Sequence, residues 1–397
     1  MKRHATLIVL CLAMAAGACA HAASGASEPT GERQPACPAA TAPAASAPAA
    51  PRMRDLTSLQ LSRLMGAGWN LGNTLEATGG ETAWGNPPAS QALMDAVRAA
   101  GFKTVRIPVA WKQYANADDV IDPHWMARVT QVVDEARRAD LFVVLNIHWD
   151  GGWMQPLRAR ERAADARLAK FWTQIATHFR DHDDMLLFAG TNEVMVEGDY
   201  GTPKPEYVAV QNGFNQVFVD AVRATGGCNA VRHLVVQAFN TNIDHAVNFA
   251  ALPSDSVANR LMMEVHYYDP YDFTLNQGSK VWQWGASATD AAATQPWADE
   301  AHVDAQFEKM KTRFVDKGVP VILGEFGAMR RTDLPGSEAF VLNWDRYVAH
   351  SAWTHGAVPI YWDAGAPTDD HSMGLFDRHS GKQIHPEVVR ALVDAAR

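Results

Sequence analysis

Apolar runs that end in polar residues recur along most of the chain. The run 185–193, "MLLFAGTNE", is apolar until its last residues, and the run 319–326, "VPVILGEF", reaches a glutamate in the same way. Six further runs share this pattern: "GAGWNLGN" (66–73), "KTVRIPV" (103–109), "LFVVLNIH" (141–148), "HLVVQAF" (233–239), "LMMEVHYY" (261–268) and "AVPIYWD" (357–363). Because strands covered on both faces are nearly continuously apolar, these segments are predicted to be buried β-strands.

Segments with the apolar spacing of helices separate these runs. Examples are "SQALMDAVRAAG" (90–101), "HWMARVTQVVDEARRAD" (124–140) and "AQFEKMKTRFVDKG" (305–318), each of which ends in Gly or Asp before the next strand. Strands that alternate with helices predict an α/β fold with a parallel sheet. Eight such units favour a closed (β/α)8 TIM barrel over an open doubly wound sheet, and we expect residues 53–397 to form this single domain.

The first 52 residues have a different composition. Residues 1–22 carry a basic start, a short apolar run and small residues, which predicts a signal peptide and export. The apolar run is too short to span a bilayer. Cleavage before Cys19, as in a lipoprotein signal, is the alternative and would leave a lipid anchor there. Residues 23–52 are rich in Ala and Pro and are predicted to be a disordered linker, so we expect a secreted protein, extracellular or periplasmic.

Composition and charge limit the partners of the chain. Of its 397 residues, 47% are hydrophobic and 20% are charged, with a net charge of −9 that argues against a nucleic-acid partner. No protein partner is implied, and we expect a monomer. Outside the signal region only Cys37 and Cys228 remain, and the sequence leaves open whether they form a disulfide.

The polar residues at the predicted strand ends carry the candidate chemistry. In a parallel barrel these ends surround the active site. Glu193 and Glu325 close the fourth and seventh strands, where paired carboxylates suit glycoside hydrolysis. Arg106 and Tyr268 are candidate donors that would hold one carboxylate ionised. The alternative is that both glutamates are rim residues in salt bridges, which accounts less well for Asn192 directly before one of them.

Other chemistries are less well supported by the sequence. The segment "HWD" at 148–150 loosely resembles metal-dependent hydrolases, but it lacks a paired histidine at metal-ligand spacing, so we expect no metal. His148 and His266 are interpreted as groups that bind sugar hydroxyls or tune the carboxylates. "GAGWNLG" has Leu71 out of register with a dinucleotide-binding loop, so we expect no cofactor. No Gly-x-Ser-x-Gly motif occurs, so a serine hydrolase is not indicated.

Tryptophans at or after the strand ends could stack on sugar rings. Indole rings match the apolar C–H faces of sugars, and several would line a polysaccharide cleft. Trp362 is the strongest candidate for stacking beside the bond to be cleaved. The full set at these positions is Trp69, Trp84, Trp111, Trp149, Trp153, Trp282, Trp284 and Trp362.

Taken together, the motifs resemble a known family. "GWNLGNTLEA", "ETAWGNP", "VRIPVAW", "NIHWD", "TNE", "EVHYYDPYDF", "LGEFG" and "YWD" follow one another between Gly66 and Asp363. In this order and spacing they are similar to the retaining glycoside hydrolases of family five, the cellulase-type (β/α) barrels. The first and sixth motifs look most like a branch that includes endoglucanases, xyloglucanases and mixed-linkage glucanases.

The resemblance implies a role for each residue. Glu193 would be the acid/base and Glu325 the nucleophile. Arg106 and Tyr268 would support Glu325, and Asn192 would bind the 2-hydroxyl of the sugar being cleaved. The remaining residues expected to bind substrate or support the site are His148, His266, Trp362, Asn70 and Trp69.

We therefore expect a secreted retaining endo-β-1,4-glucanase without a cofactor, acting on cellulose-like or xyloglucan-like β-glucans. Two alternatives stay open. One is a barrel that binds carbohydrate without catalysis, although retention of both glutamates, Arg106 and Tyr268 argues against it. The other is an endo-mannanase of the same fold, because discrimination between sugar epimers depends on fine loop contacts.

Overall fold

A closed barrel of eight parallel strands forms the centre of the molecule, as the alternation of strands and helices predicted. The computed structural model describes residues 53–397. Neighbours in the barrel follow chain order, and β1 closes it by pairing with β8. The strands are β1 (Gly68–Asn70), β2 (Thr104–Ile107), β3 (Phe142–Asn146), β4 (Leu186–Ala189), β5 (Leu234–Gln237), β6 (Leu261–Tyr267), β7 (Val321–Phe326) and β8 (Ala357–Tyr361).

Helices follow every strand and cover the barrel. Capping residues mark the starts of several helices. Thr57 and Gln60 form a capping box at the helix that begins at Ser58, and the side chains of Ser90 and Asp299 accept backbone N–H groups of the helices that follow them directly. The α-helices are α1 (Ser58–Met65), α2 (Gln91–Ala99), α3 (Pro123–Arg138), α4 (Arg158–His178), α5 (Pro205–Ala224), α6 (Ile243–Phe249), α7 (Tyr271–Thr274), α8 (Glu300–Arg313), α9 (Ser337–Thr354) and α10 (Pro386–Ala395). Short 3₁₀ helices are Lys112–Tyr114, Gly227–Ala230, Phe239–Thr241, Ala291–Ala293, Pro296–Ala298 and Val315–Lys317.

The core has two layers, because each strand alternates between an inner and an outer face. Inward side chains fill the barrel, where Leu61 and Met65 of α1 join residues from β3 through β8. The outward side chains pack against the helices in a larger cluster that includes Trp172 and Trp344. With its lower part filled in this way, the barrel can support polar groups only near the carboxyl ends of the strands.

The strands end earlier than the apolar runs predicted. The run 185–193 is a strand only to Ala189, and the first run, 66–73, only over Gly68–Asn70. The reason is visible after β4: the backbone and hydroxyl of Thr191 donate to Gln237 Oε1 at 2.9 and 3.1 Å, so a side chain replaces the strand ladder. Glu193 then has a φ of +35°, which turns its carboxylate away from the strand direction.

The predicted signal peptide and linker, with Cys19 and Cys37, lie outside the described residues. Cys228 is buried beside α5, in the 3₁₀ helix that precedes β5. Between residues 53 and 397, the helices are all too short or too polar to cross a membrane.

Candidate active site

The carboxyl ends of the strands bring most of the predicted site residues to one place. The carboxylates of Glu193 and Glu325 and the imidazole of His266 each place one atom within 4.8 Å of the other two. Glu325 and His266 lie inside β7 and β6, whereas Glu193 lies in the turn that follows β4. The arrangement therefore has two carboxylates facing each other across the barrel mouth, as the sequence predicted.

Glu325 is buried and held by donors. Arg106 Nη1 donates to its Oε1 at 2.9 Å, and the Tyr268 hydroxyl donates to its Oε2 at 3.2 Å. Burial raises the pKa of Glu325 above its ordinary value, and the charges of His266 and Arg106 oppose that rise. Burial and the neighbouring carboxylates raise the pKa of Tyr268 well above 10, so its hydroxyl remains a donor. Glu325 is thus an oriented carboxylate with little contact with water.

Arg106 is the centre of this network and has no exposed surface. Besides Glu325, its Nη2 donates to Asn192 Oδ1 at 2.6 Å and its Nη1 to Asn70 Oδ1 at 3.0 Å. Asn70 is also fully buried and donates to the Gly324 carbonyl at 2.9 Å, which ties β1 to β7. Asn70 therefore supports the site by fixing Arg106, and it has no surface with which to contact a substrate.

Glu193 has a different environment, because its side chain is 27% exposed. Its Oε1 lies 2.8 Å from His266 Nδ1. Burial lowers the pKa of His266, but Glu325, Glu193 and Glu264 together raise it to about 9. His266 is therefore an imidazolium at neutral pH and donates to Glu193. One carboxylate held in a buried network and another open to the cleft is the asymmetry that an acid and a nucleophile require.

Glu264 belongs to the site, although the sequence reasoning did not single it out. It is buried on β6, where its Oε1 lies 2.9 Å from Arg106 Nε and 3.4 Å from His266 Nε2. Burial alone would raise the pKa of Glu264, but Arg106, with His266 and Gln237, lowers it, so the group is charged. The sequence did carry a sign of it: Glu264 and His266 are spaced by two on β6, and Tyr268 continues this spacing directly after the strand.

An aromatic wall flanks the carboxylates. The rings of His148 and Trp362 are parallel, with centroids 5.9 Å apart and 9° between their planes. Burial, with the charges of Arg106 and His266, holds the pKa of His148 well below its usual range, so this ring is neutral. Trp362 is half-buried directly after β8. A neutral aromatic surface beside two carboxylates is suited to a sugar ring.

Comparison with known proteins agrees with this geometry. Residues 70–367 match the family model described as cellulase (glycosyl hydrolase family 5). The chain belongs to glycosyl hydrolase family 5. It is accordingly a glycoside hydrolase of the cellulase type, with the (β/α)8 barrel described above.

Several relatives of this family 5 enzyme are similar to it over most of its length. A xyloglucan-specific endo-β-1,4-glucanase of Bacteroides ovatus is 44% identical over 363 residues, which cover 86% of this chain and 70% of that protein. A solved Bacteroides ovatus family 5 xyloglucanase, in complex with a XXXG heptasaccharide, superposes with a TM-score of 0.82 at 43% identity, covering 87% of this chain and 77% of that one. A broad-specificity endoglucanase from Bacteroides salanitronis has a TM-score of 0.81 at 41% identity, covering 86% and 95%.

Trp69 does not line the cleft of the family 5 enzyme, so of the two roles expected for it, binding substrate or supporting the site, the first does not fit its position. Trp69 is fully buried, packs edge-on against Phe376 and donates from Nε1 to Asp363 Oδ2 at 2.8 Å. Because neighbouring residues of a strand face opposite sides, Trp69 and the inward-facing Asn70 could not both face the cleft. Among the other candidates, Trp111 and Trp284 are buried, whereas Trp149 is 57% exposed.

The chemistry of the site does not suit a metal. Glu193, His266 and Glu325 are close enough to share an ion. A metal-binding imidazole must offer a lone pair, whereas both nitrogens of His266 face carboxylates in the protonated state that its raised pKa of about 9 favours. Glu325 already has a cationic partner, because it forms an ion pair with Arg106. The three residues therefore fit a proton-handling role better than metal binding.

A polar pocket adjoins Glu193 on one side. Asn240 and Asn242 line it from the connection between β5 and α6, and Asp244 from the first turn of α6. After β6, Asp269 and Tyr271, the first residue of α7, complete this lining. The pocket wall includes the two partners Glu193 and His266, but neither Glu325 nor Trp362. It therefore lies beside the exposed carboxylate and away from the aromatic wall.

Proposed function

We propose that the enzyme is a retaining endo-β-1,4-glucanase that hydrolyses internal bonds of xyloglucan-like or cellulose-like β-glucans. The observation that carries this proposal is the approach of Glu193 and Glu325 to within 4.8 Å. Retaining enzymes hold their two carboxyl groups about 5–5.5 Å apart, whereas inverting enzymes need about 6.5–9.5 Å to admit a water molecule. The short separation supports a nucleophile that attacks the sugar directly.

In the first step, a Glu325 oxygen forms a bond to the anomeric carbon as the bond from that carbon to the leaving oxygen breaks. Glu193 gives its proton to the leaving oxygen, and Asn192 would bind the 2-hydroxyl of the same sugar. In the second step, Glu193 takes a proton from water as the water oxygen attacks the anomeric carbon. Glu325 leaves as a carboxylate, and two inversions give net retention. Arg106 and Tyr268 orient Glu325 for both steps.

The substrate side of the proposal comes from the surfaces around this pair. Trp362 and His148 provide the stacking wall for the sugar that is attacked. The polar pocket next to Glu193 would receive hydroxyls of the leaving portion, because the acid lies between the two parts of the substrate. The names of the relatives, a xyloglucan-specific glucanase and a broad-specificity endoglucanase, support a β-1,4-glucan backbone.

Location and assembly are further proposals. We propose that residues 1–22 direct secretion, that the mature enzyme is a monomer, and that its partner is the β-glucan alone. The mass of the mature amino terminus tests secretion: a soluble protein that begins after residue 22 supports it. A chain that begins with an acylated Cys19 would instead place the enzyme on a membrane through the linker.

A reducing-end assay on tamarind xyloglucan, carboxymethylcellulose, barley β-glucan and galactomannan tests the substrate. We expect turnover on the glucans and a loss of about three orders of magnitude or more in kcat for Glu325→Gln. Glu135→Gln, which changes a buried glutamate on α3, is the matched control and should keep wild-type activity. Cleavage of galactomannan alone would establish a mannanase. Binding to a glucan without turnover would establish a carbohydrate-binding barrel.

A further inference from the structure

A third buried carboxylate lies beneath the two that do the chemistry. The side chain of Glu264 has no exposed surface, so it cannot touch a substrate. Leaving a charged group in such a position costs several kcal/mol unless it is paired. The double displacement described above gives Glu264 no role, so we looked for its role in the groups that it contacts.

The contacts of Glu264 join the two cations of the site. Its Oε1 lies 2.9 Å from Arg106 Nε and 3.4 Å from His266 Nε2. Arg106 also donates from Nη1 to Glu325, and the second ring nitrogen of His266, Nδ1, lies beside Glu193 Oε1. A single carboxylate oxygen thus stands behind both catalytic carboxylates, with one cation between it and each of them.

The surroundings of Glu264 are built to keep it in this place. Gln237 Nε2 on β5 donates to Glu264 Oε2 at 2.6 Å, which fixes the second oxygen. On β7, position 324 is a glycine, and a Cβ there would overlap the Glu264 carboxylate. Gly324 directly precedes Glu325, so the same stretch of β7 that presents Glu325 also leaves room for Glu264.

We propose that Glu264 is a positioning residue for catalysis, the shared counter-ion that holds Arg106 against Glu325 and keeps His266 as a charged donor to Glu193. The proposal rests on the roles given above to Glu193 and Glu325. Glu264 acts through the two cations and not on the sugar. The site then holds two cations, Arg106 and protonated His266, against three carboxylates. One further acidic proton makes the net charge of this cluster zero.

The charge balance gives the direction of the effect when Glu264 is neutralised. His266 would lose one of the carboxylates that favour its protonated form, while Arg106 would stay charged. The imidazolium of His266 would then lose its proton at a lower pH. The titratable and charged groups that face His266 and Glu264 from the neighbouring strands and their ends are Arg106, His148, Glu193, Tyr268 and Glu325.

The test compares Glu264→Gln with wild type on a soluble β-glucan across pH 5 to 10. We expect kcat to fall about 10- to 100-fold with KM changed less than about threefold, because a misplaced catalytic group costs that much without altering ground-state binding. We also expect the alkaline limb of kcat/KM to move to lower pH by about one unit or more. The matched control Glu135→Gln removes another buried carboxylate. It should leave kcat and the pH of the alkaline limb of kcat/KM unchanged.

A Glu264→Gln enzyme with the wild-type kcat and the wild-type alkaline limb would overturn the proposal, whatever its melting temperature. If the glutamine variant does not fold, Glu264→Asp retains the charge but withdraws it by one methylene. Glu264→Asp should then shift the alkaline limb to lower pH by a smaller amount. A wild-type pH profile for this variant would also overturn the proposal. Failure of the proposed function gives a different result: either the wild-type enzyme would not turn over the β-glucan, or Glu325→Gln would remain active.

Discussion

At the residue scale, the two catalytic glutamates differ in what surrounds them and not in type. Glu325 is buried against Arg106 and Tyr268, while Glu193 is partly exposed and contacts only the imidazole of His266 among the donors described. The first environment favours an oriented anion. The second lets a proton move between the carboxylate, the leaving oxygen and water.

The pH dependence of activity follows from these surroundings. Activity requires ionised Glu325, whose pKa burial raises, so kcat/KM should fall as pH drops through a value above the ordinary 4.5 of glutamate. On the alkaline side, the first step needs both a proton on Glu193 and a cationic His266 beside it, so kcat/KM should fall again at the latest as pH rises through about 9, where the raised pKa of His266 lies. A pH series of kcat/KM from 4 to 10 measures both limbs. A profile that stays flat to pH 10 would contradict the role of His266.

Individual residues show what the sequence could and could not reveal. Glu193, Glu325 and Arg106 were found because a charge at the end of an apolar run is costly to bury unless it is paired or takes part in chemistry. The sequence could not separate the roles of Trp69 and Asn70, because the short strand β1 gives too little alternation to decide which residue faces inward. Glu264 was overlooked because its partners, Arg106 and Gln237, are distant in sequence, and its pairing is visible only once the barrel closes.

At the element scale, the connection after β1 sets the position of the aromatic wall. A Cβ at Gly72 would lie 2.7 Å from the Asp363 carbonyl oxygen and 2.9 Å from Cζ2 of Trp362. The Gly72 N–H also donates to the Asp363 carbonyl at 3.1 Å. Gly72 therefore packs closely against the segment that carries Trp362.

Gly72→Ala should therefore weaken substrate binding by displacing the indole of Trp362. Overpacking of this kind costs about 1–3 kcal/mol. If the indole moves to relieve it, KM should rise about fivefold or more while kcat changes less. Gly201→Ala is the matched control, because a Cβ there meets only the Asp199 carboxylate at 3.9 Å. Steady-state kinetics on xyloglucan distinguish the two variants, and equal KM values would contradict the account of the wall.

Elements were easier to predict than their ends. The apolar runs located all eight strands, but two of the runs, 66–73 and 185–193, extend three or more residues past the last strand position. In the run 185–193 the extra residues turn because Thr191 bonds to Gln237 on the next strand. Such a bond joins positions 46 residues apart, so no local pattern in the sequence could predict where the strand ends.

At the scale of the whole molecule, a buried ion pair lies beside the junction between the first and last strands of the barrel. Asp363 accepts from Trp69 Nε1, from the Leu375 N–H and from Arg378 Nη2 at 2.8, 2.8 and 3.0 Å. Arg378 also donates to the Gly72 carbonyl at 2.7 Å. The chain after β8 is thus tied to both β8 and the connection after β1.

Removing Arg378 should loosen this junction. Arg378→Met leaves Asp363 as a buried carboxylate without its cation, which costs about 3–5 kcal/mol of unfolding free energy. Arg397→Met is the control, because its ion pair with Asp394 is largely exposed and contributes at most about 1 kcal/mol. Urea unfolding followed by tryptophan fluorescence gives both values. Equal stability of the two variants would show that the junction does not depend on the pair.

The central claim is that Glu325 forms a covalent bond to the sugar while Glu193 acts as acid and base. A 2-deoxy-2-fluoro-β-cellotrioside with a dinitrophenolate leaving group tests it most directly, because the fluorine slows release of the glycosyl-enzyme and the leaving group needs no acid. Mass spectrometry of the wild-type enzyme should show one sugar per chain, attached to the peptide that contains Glu325. A label on Glu193, or an unlabelled enzyme whose first product has inverted configuration, would contradict the account.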